Sequence, residues 1–307
     1  MQDALIQQRP IPSELIGPLK ECDAGIDDPA ALQRALQQDG YVFLRSALDA
    51  DEVLSARAEV FGRLAAVGEI APPAIDGIAT GESRRRETAG DLDAFWKSVS
   101  EGPALRRVSH GARLRDVMQA VLGAPARPHD MIYLRPAAVG RCTRLHYDYP
   151  FFAGRSNAIH TAWIPLGDAP VSDGPLVVIE GSRAFSDLLE PIQNIDYTAD
   201  RSNDTVQSAA YERQNTEHPI TLVGERGARF LTTDFRLGDL MIFSGFLMHG
   251  SLDNQSPRGR VRLSVDVRYQ PSSDPADDPR YFGPNPSGSN GGGYGDMKAA
   301  RPITEPW

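Results

Sequence analysis

The chain has 307 residues, 41% of them hydrophobic, and a formal net charge of −9. That supplies apolar material for one large domain, and the negative balance gives no electrostatic case for binding nucleic acid or an anionic membrane. No apolar run is long enough to span a bilayer, the first residues lack the basic start and apolar middle of a signal peptide, and Cys22 and Cys142 form no metal-spacing motif, so a cytoplasmic protein is expected.

The N-terminal part reads as helical. From Asp28 to Gly40 the sequence DPAALQRALQQDG has Asp28 placed to cap, Pro29 at the first turn and Gly40 as a stop. Tyr41 to Leu44 (YVFL) is a short buried strand. Asp49 and Asp51 then open a second helix, whose apolar positions Val53, Leu54, Ala58, Phe61, Leu64 and Ala65 recur at helical spacing. Val60 and Val67 widen the stripe. This pair is expected to buttress a sheet. Residues 70–90 break the pattern with Pro, Gly and Ala and read as a solvated loop carrying the basic run Arg84, Arg85 and Arg86. Helix returns over 92–122 and closes at Gly123. Residues 1–125 are thus expected to form a mostly helical flank.

From Met131 the pattern changes to short strands. MIYLRP is the first. Arg141 to Phe152 (RCTRLHYDYPFF) follows as a strand bounded by Pro150. Ala158 to Leu166 alternates, and Leu176 to Ile179 is wholly apolar. Residues 186–218 are polar and weakly periodic, an inserted loop or helix. Pro219–Val223 and Ala228–Leu231 are expected strands, and Leu237 to Ser244 is another. Arg260 to Tyr269 alternates strictly. Val261, Leu263, Val265 and Val267 lie on one side, and Arg260, Arg262, Ser264, Asp266 and Arg268 on the other, as in a half-buried strand. The stretch 271–307 is an irregular tail, and Gly291–Gly293 are not a phosphate loop because no Gly-Lys-Ser/Thr follows. Many short strands after helices predict a single, mainly β domain, a sandwich or barrel over 126–270 with a helical flank.

Any histidine-based metal site must draw on His110, His129, His146, His160, His218 and His249. His146 and Asp148 are separated by a single residue. In an extended chain, side chains at i and i+2 share a face. An imidazole and a carboxylate side by side supply two metal ligands. Iron(II) oxygenases need a third, normally a second histidine, with other positions left open. His249, in FSGFLMHGS, is the candidate.

The ordered set HYD at 146–148, AWIPL at 162–166, DGPLVVIEGS at 173–182, LGDLMIF at 237–243, HGSLDNQS at 249–256 and Arg260 resembles the phytanoyl-CoA dioxygenase family of iron(II)/2-oxoglutarate oxygenases, from about Gly40 to Tyr269. The resemblance implies a double-stranded β-helix, a cupin-like jelly roll buttressed by the N-terminal helices. It implies His146, Asp148 and His249 as iron ligands, with 2-oxoglutarate and O2 as cosubstrates. It places an arginine about eleven positions beyond the last histidine, here Arg260. Trp163 and Ser251 would line the 2-oxoglutarate pocket, and Arg135 stands where some relatives carry a lysine. A buried carboxylate needs a hydrogen-bonded partner, and the planar guanidinium suits it. Arg262 shares the face of Arg260 and is its internal rival.

The activity implied is hydroxylation of an unactivated C–H bond of a small molecule, with oxidative decarboxylation of 2-oxoglutarate to succinate and CO2. The carboxylate of Asp148 argues against halogenation, while desaturation, epoxidation and ring closure share the same ligands. Alanine at His146 or Asp148 is expected to abolish turnover and to leave folding largely intact. Substrate-side candidates are Tyr133, Tyr149, Phe151, Phe152, Arg155, Asn157, His160 and Arg183. Glu180 and Arg183 replace a usual proline and histidine, which suggests an anionic or polar substrate. His160 reads as a satisfied structural histidine rather than a fourth ligand. Two other classes stay open: a cupin-like metal-dependent dioxygenase or isomerase that does not use 2-oxoglutarate, and a catalytically silent binding protein on the same scaffold. Nothing in the sequence fixes the oligomeric state.

Overall fold

Local signals place the N-terminal elements. In the computed structural model, which describes residues 4–152, 156–193 and 215–305, a hairpin of β1 (Leu5–Ile6) and β2 (Arg9–Pro10) is followed by β3 (Ile16–Pro18). The Asp28 carboxylate accepts from the Ala31 amide and starts α1 (Pro29–Asp39), and Gly40, at φ 80°, ends it in the left-handed region that glycine enters without strain. β4 (Tyr41–Leu44) is wholly buried, and Asp49 caps α2 (Ala50–Ala66). A short α3 (Arg85–Thr88) precedes α4 (Leu92–Ser100), α5 (Pro103–His110) and α6 (Ala112–Leu122).

Next come β5 (Ala126–Ala137), α7 (Tyr149–Phe152), β6 (His160–Pro165), β7 (Leu176–Ile179), α8 (Ser186–Gln193) and α9 (Pro219–Glu225). β8 (Phe230–Thr232), β9 (Leu240–Ser244), β10 (His249–Ser251) and β11 (Arg262–Pro271) complete the strands. One sheet is antiparallel, in the order β4-β9-β6-β11-β5. The other runs β10-β7-β8-β3, with β3 parallel to β8. The fold is the expected jelly roll with a helical flank, although β3 and β4, from the helical N-terminal part, each add a strand to a sheet.

The period of two along each strand decides what lies where. Val42, Ile132, Leu134, Ala162, Ile164, Ile242, Leu263, Val265 and Val267 face outward and pack against α2, α4, α5 and α6. Between the sheets lie Tyr41, Phe43, Trp163, Val178, Leu231, Met241 and Phe243. The same alternation turns Arg262, Ser264, Asp266, Arg268 and Gln270 into the barrel. β11 was expected to be half-buried, yet every residue from Arg262 to Gln270 is buried. A barrel interior, not solvent, receives the polar side.

Three further expectations are corrected. Residues 219–223 are helix rather than strand, because Pro219 fits the first turn and the His218 ring accepts from the Ile220 amide. Residues 141–152 do not form a ladder. His146 makes one antiparallel bridge with His249, and Tyr149–Phe152 is a helical turn, which suits a proline lacking an amide donor. Arg85 is not on a solvated loop: it is fully buried against Glu69. Within the tail, Tyr294, Ala299, Ala300 and Ile303 join the helix-side core. Residues 194–214 of the expected insertion lie outside the described residues. No described helix is long and apolar enough to cross a membrane.

Candidate metal centre and cosubstrate site

Two strand-like segments bring the three expected ligands together. His146 and His249 bond reciprocally through their backbones, at 2.9 and 3.0 Å, and this bridge sets their imidazoles 4.3 Å apart between centroids. Asp148 lies two residues on. One ligand atom from each of His146, Asp148 and His249 falls within 4.8 Å of the others, and all three residues are buried.

The ring nitrogens are sorted by backbone contacts. Nδ1 of His146 lies 2.9 Å from the Arg144 carbonyl and Nδ1 of His249 3.0 Å from the Leu247 carbonyl. A carbonyl only accepts, so each Nδ1 carries the hydrogen and each Nε2 keeps its lone pair. Those Nε2 atoms are 3.5 and 3.8 Å from Oδ1 of Asp148. Burial, then the neighbouring His146, push the His249 ring down to about 3, so the ring is neutral. Burial alone would raise the Asp148 carboxyl. Arg268 and the two imidazoles outweigh that and hold it well below the ordinary carboxylate range. Two imidazoles and one carboxylate on one face are the donor set for a ferrous ion with open positions.

Arg268 and Thr161 complete the carboxylate's surroundings, and the sequence reading passed over both. Nη2 of Arg268 donates to both Asp148 oxygens at 2.9 Å, and the Thr161 hydroxyl donates to Oδ2 at 2.6 Å. Arg268 and Thr161 are register partners on β11 and β6. The available signal was their shared inward parity with Trp163 and Arg262.

The expected cosubstrate residues are spread along the same interior. Ser251 is buried on β10, and its hydroxyl accepts from the Thr143 amide at 2.8 Å. Trp163 is buried on β6 against Phe235, at 4.7 Å between centroids. Arg135 donates to Asp266 at 2.5 Å. Arg260 sits just before β11, is one-quarter exposed, and donates through Nε to Asp173 at 2.5 Å. Arg262 lies deeper. Its Nε donates to the Gly174 carbonyl at 3.1 Å and its Nη1 to Ser264 at 2.6 Å.

The substrate-side candidates separate into two groups. Tyr149 and Phe152, with Asn157, Ile159 and Phe246, line a small cleft that ends on Asp148. Tyr149 stacks on Phe246, Phe151 lies edge-on to His146, and Tyr133 is an edge neighbour of Phe152. His160, Glu180 and Arg183 are not part of this group. His160 bonds the Ala158 carbonyl, Arg183 donates to the Leu36 and Gln37 carbonyls, and Glu180 pairs with Arg229. Glu180, Arg183 and Arg229 border a surface cleft of about 640 Å³ whose lining includes none of the three metal-type residues. Arg155 lies outside the described residues.

The family model for phytanoyl-CoA dioxygenase matches residues 36–262, well over half of the chain. The chain belongs to the phytanoyl-CoA dioxygenase family. It is a non-haem iron(II)- and 2-oxoglutarate-dependent oxygenase. Two characterised relatives are the 1-deoxypentalenic acid 11-beta-hydroxylases of Streptomyces exfoliatus and Streptomyces arenae. Each is 28% identical to this family member, over 82% of this chain and 85% of that protein. Among solved structures, EctD from S. alaskensis in its apo form is 20% identical, covers 91% of each chain and superposes with a TM-score of 0.52. SnoK, a carbocyclase from nogalamycin biosynthesis, is 20% identical over 84% of this chain and 88% of its own, with a TM-score of 0.51. At that identity these structures speak to the fold alone.

Proposed function

We propose that this oxygenase hydroxylates an unactivated C–H bond of a small molecule, with His146, Asp148 and His249 as the iron ligands. The convergence of the three side chains, with both Nδ1 atoms committed to carbonyls, carries the reading. The hydroxylases among its relatives support the reaction type, and the acid in their names supports a substrate with an anionic group. Bound iron(II) and 2-oxoglutarate supply the oxidising power: O2 and the keto acid give succinate, CO2 and one hydroxyl oxygen for the substrate. The chain's own part is placement. The Arg144 and Leu247 carbonyls aim the two Nε2 atoms, and the aromatic side chains of Tyr149, Phe152 and Phe246 line the cleft beside Asp148. The two free cysteines accord with a cytoplasmic setting.

For the distal carboxylate of 2-oxoglutarate the proposed anchor is Arg260, held by Asp173, with Ser251, Trp163 and Arg135 lining the pocket. The spacing from His249 supports Arg260; depth of burial favours Arg262, and paired variants decide between them. Arg260→Gln is expected to cost about 2 kcal/mol or more of cosubstrate binding, roughly a 30-fold rise in the keto acid's KM. Arg262→Gln is expected to change that KM far less. Steady-state kinetics with varied 2-oxoglutarate checks this, and the reverse pattern moves the anchor to Arg262. The activity itself is tested by succinate release across a panel of small organic acids. Keto-acid turnover that no panel member stimulates would count against the substrate class.

A further inference from the structure

We propose that Arg268 and Thr161 fix how Asp148 binds metal: they occupy Oδ2 so that the carboxylate coordinates through Oδ1 alone. This rests on the ligand assignment above and goes beyond it, because it gives a function to two residues outside the proposed ligands and cosubstrate pocket.

The argument is a count of lone pairs. An ionised carboxylate offers about four acceptor sites, two on each oxygen. Oδ2 accepts from Thr161 at 2.6 Å and from Arg268 at 2.9 Å, so both of its sites are used. Oδ1 accepts from Arg268 at 2.9 Å and retains one site. That oxygen is also the one 3.5 and 3.8 Å from the two imidazole Nε2 atoms. The free lone pair and the two ring nitrogens therefore belong to the same atom cluster. A carboxylate with its second oxygen free could chelate the ion and close a position that the keto acid or oxygen needs. Here that swing would break two hydrogen bonds of a buried carboxylate.

Arg268 is itself held against movement. It is 1% exposed, and its guanidinium lies over the rings of Tyr133 and Phe152 at 4.5 and 4.7 Å. Nη1 is 3.6 Å from Asp266, which in turn accepts from Arg135 at 2.5 Å. The row Arg135, Asp266, Arg268, Asp148 alternates in sign across the barrel interior. Nε and Nη1 of Arg268 make no hydrogen bond among the described residues. The side chain thus keeps two buried donors unpaired while its remaining nitrogen grips the carboxylate, an expensive arrangement for a group that merely filled space. Arg268 is accordingly a positioning residue.

The test is cobalt(II) titration of the full-length apoprotein, read by affinity and by the visible d–d bands, which report coordination and not folding. Arg268→Gln is expected to weaken cobalt binding about 10- to 100-fold, the usual scale for losing a group that orients a ligand. Its bands should move as Oδ2 becomes free. Thr161→Val should shift the bands in the same direction with a smaller loss, and Arg268→Lys should restore most of the affinity. A folded Arg268→Gln protein with wild-type affinity and bands overturns the proposal. Should that variant fail to fold, wild-type affinity and bands in Thr161→Val overturn it equally. Asp148→Ala binding cobalt as well as wild type would instead remove the ligand assignment, and the proposal with it.

Discussion

Asp148→Ala is expected to abolish 2-oxoglutarate turnover and, in the same protein, to lower the stability of the metal-free fold by about 3–5 kcal/mol. The second effect departs from the sequence-based expectation of intact folding, and Arg268 is the reason. Its guanidinium is buried, and its only hydrogen-bond acceptors among the described residues are the two Asp148 oxygens. Removing the carboxylate leaves a buried cation with no hydrogen-bond acceptor among the described residues and only Asp266, 3.6 Å away, as counter-charge, which is far costlier than losing an exposed pair. Thr161 loses its acceptor as well. His146→Ala has no such consequence, since its Nδ1 leaves behind only the Arg144 carbonyl. Urea denaturation of the apoproteins separates the cases. His146→Ala should be inactive with a near wild-type midpoint, and Asp148→Ala inactive with a clearly lower one. Equal midpoints for Asp148→Ala and wild type would mean that Arg268 does not depend on the carboxylate.

Arg85→Ala is expected to have a comparable effect on stability, about 3–5 kcal/mol, far from the metal centre. Arg85 and Glu69 are both fully buried and paired at 2.6 Å. Nη1 of Arg85 also donates to the carbonyls of Ala299, Ala300 and Arg301 at 2.7–2.8 Å. One side chain therefore ties residues 299–301 to the helical flank, under the rings of Phe95 and Trp96. Alanine leaves Glu69 as a buried charge and the three carbonyls without that donor. The expected signature is a lower denaturation midpoint together with faster proteolysis after residue 271. Arg85→Lys keeps the charge but not the fork of donors, and should lie between alanine and wild type. An Arg85→Ala protein with an unchanged midpoint and an unchanged cleavage rate would show that the tail is held by its apolar contacts alone.

The legible parts of this molecule were those with a local cause. Asp28, Pro29 and Gly40 announced a helix because caps, first turns and left-handed stops act within a few residues. The strands of the barrel were visible in period-two alternation, and His146, Asp148 and His249 in the order of short motifs. What alternation could not tell is which solvent a polar face meets. Arg262, Asp266 and Arg268 read as the wet side of a half-buried strand, and closing the barrel made that side its interior. The same blindness hid Arg85, whose partners are a glutamate 16 residues away and a tail more than 200 residues away. Pro219 misled in the opposite direction. A mainly apolar pentapeptide that opens on a proline suits a strand edge as well as a helix start, and the His218 ring, accepting from the Ile220 amide, chose the helix.

His146 and Asp148, with His249 a hundred residues further along the chain, are proposed to hold one ferrous ion to which 2-oxoglutarate then binds. Anaerobic addition of iron(II) and 2-oxoglutarate to the apoprotein tests it without knowledge of the substrate, because a keto acid chelating ferrous iron produces a visible charge-transfer band. The wild-type protein should show the band, dependent on both additions, and His249→Ala should not. No band in the wild type, or the same band in His249→Ala, would contradict the account.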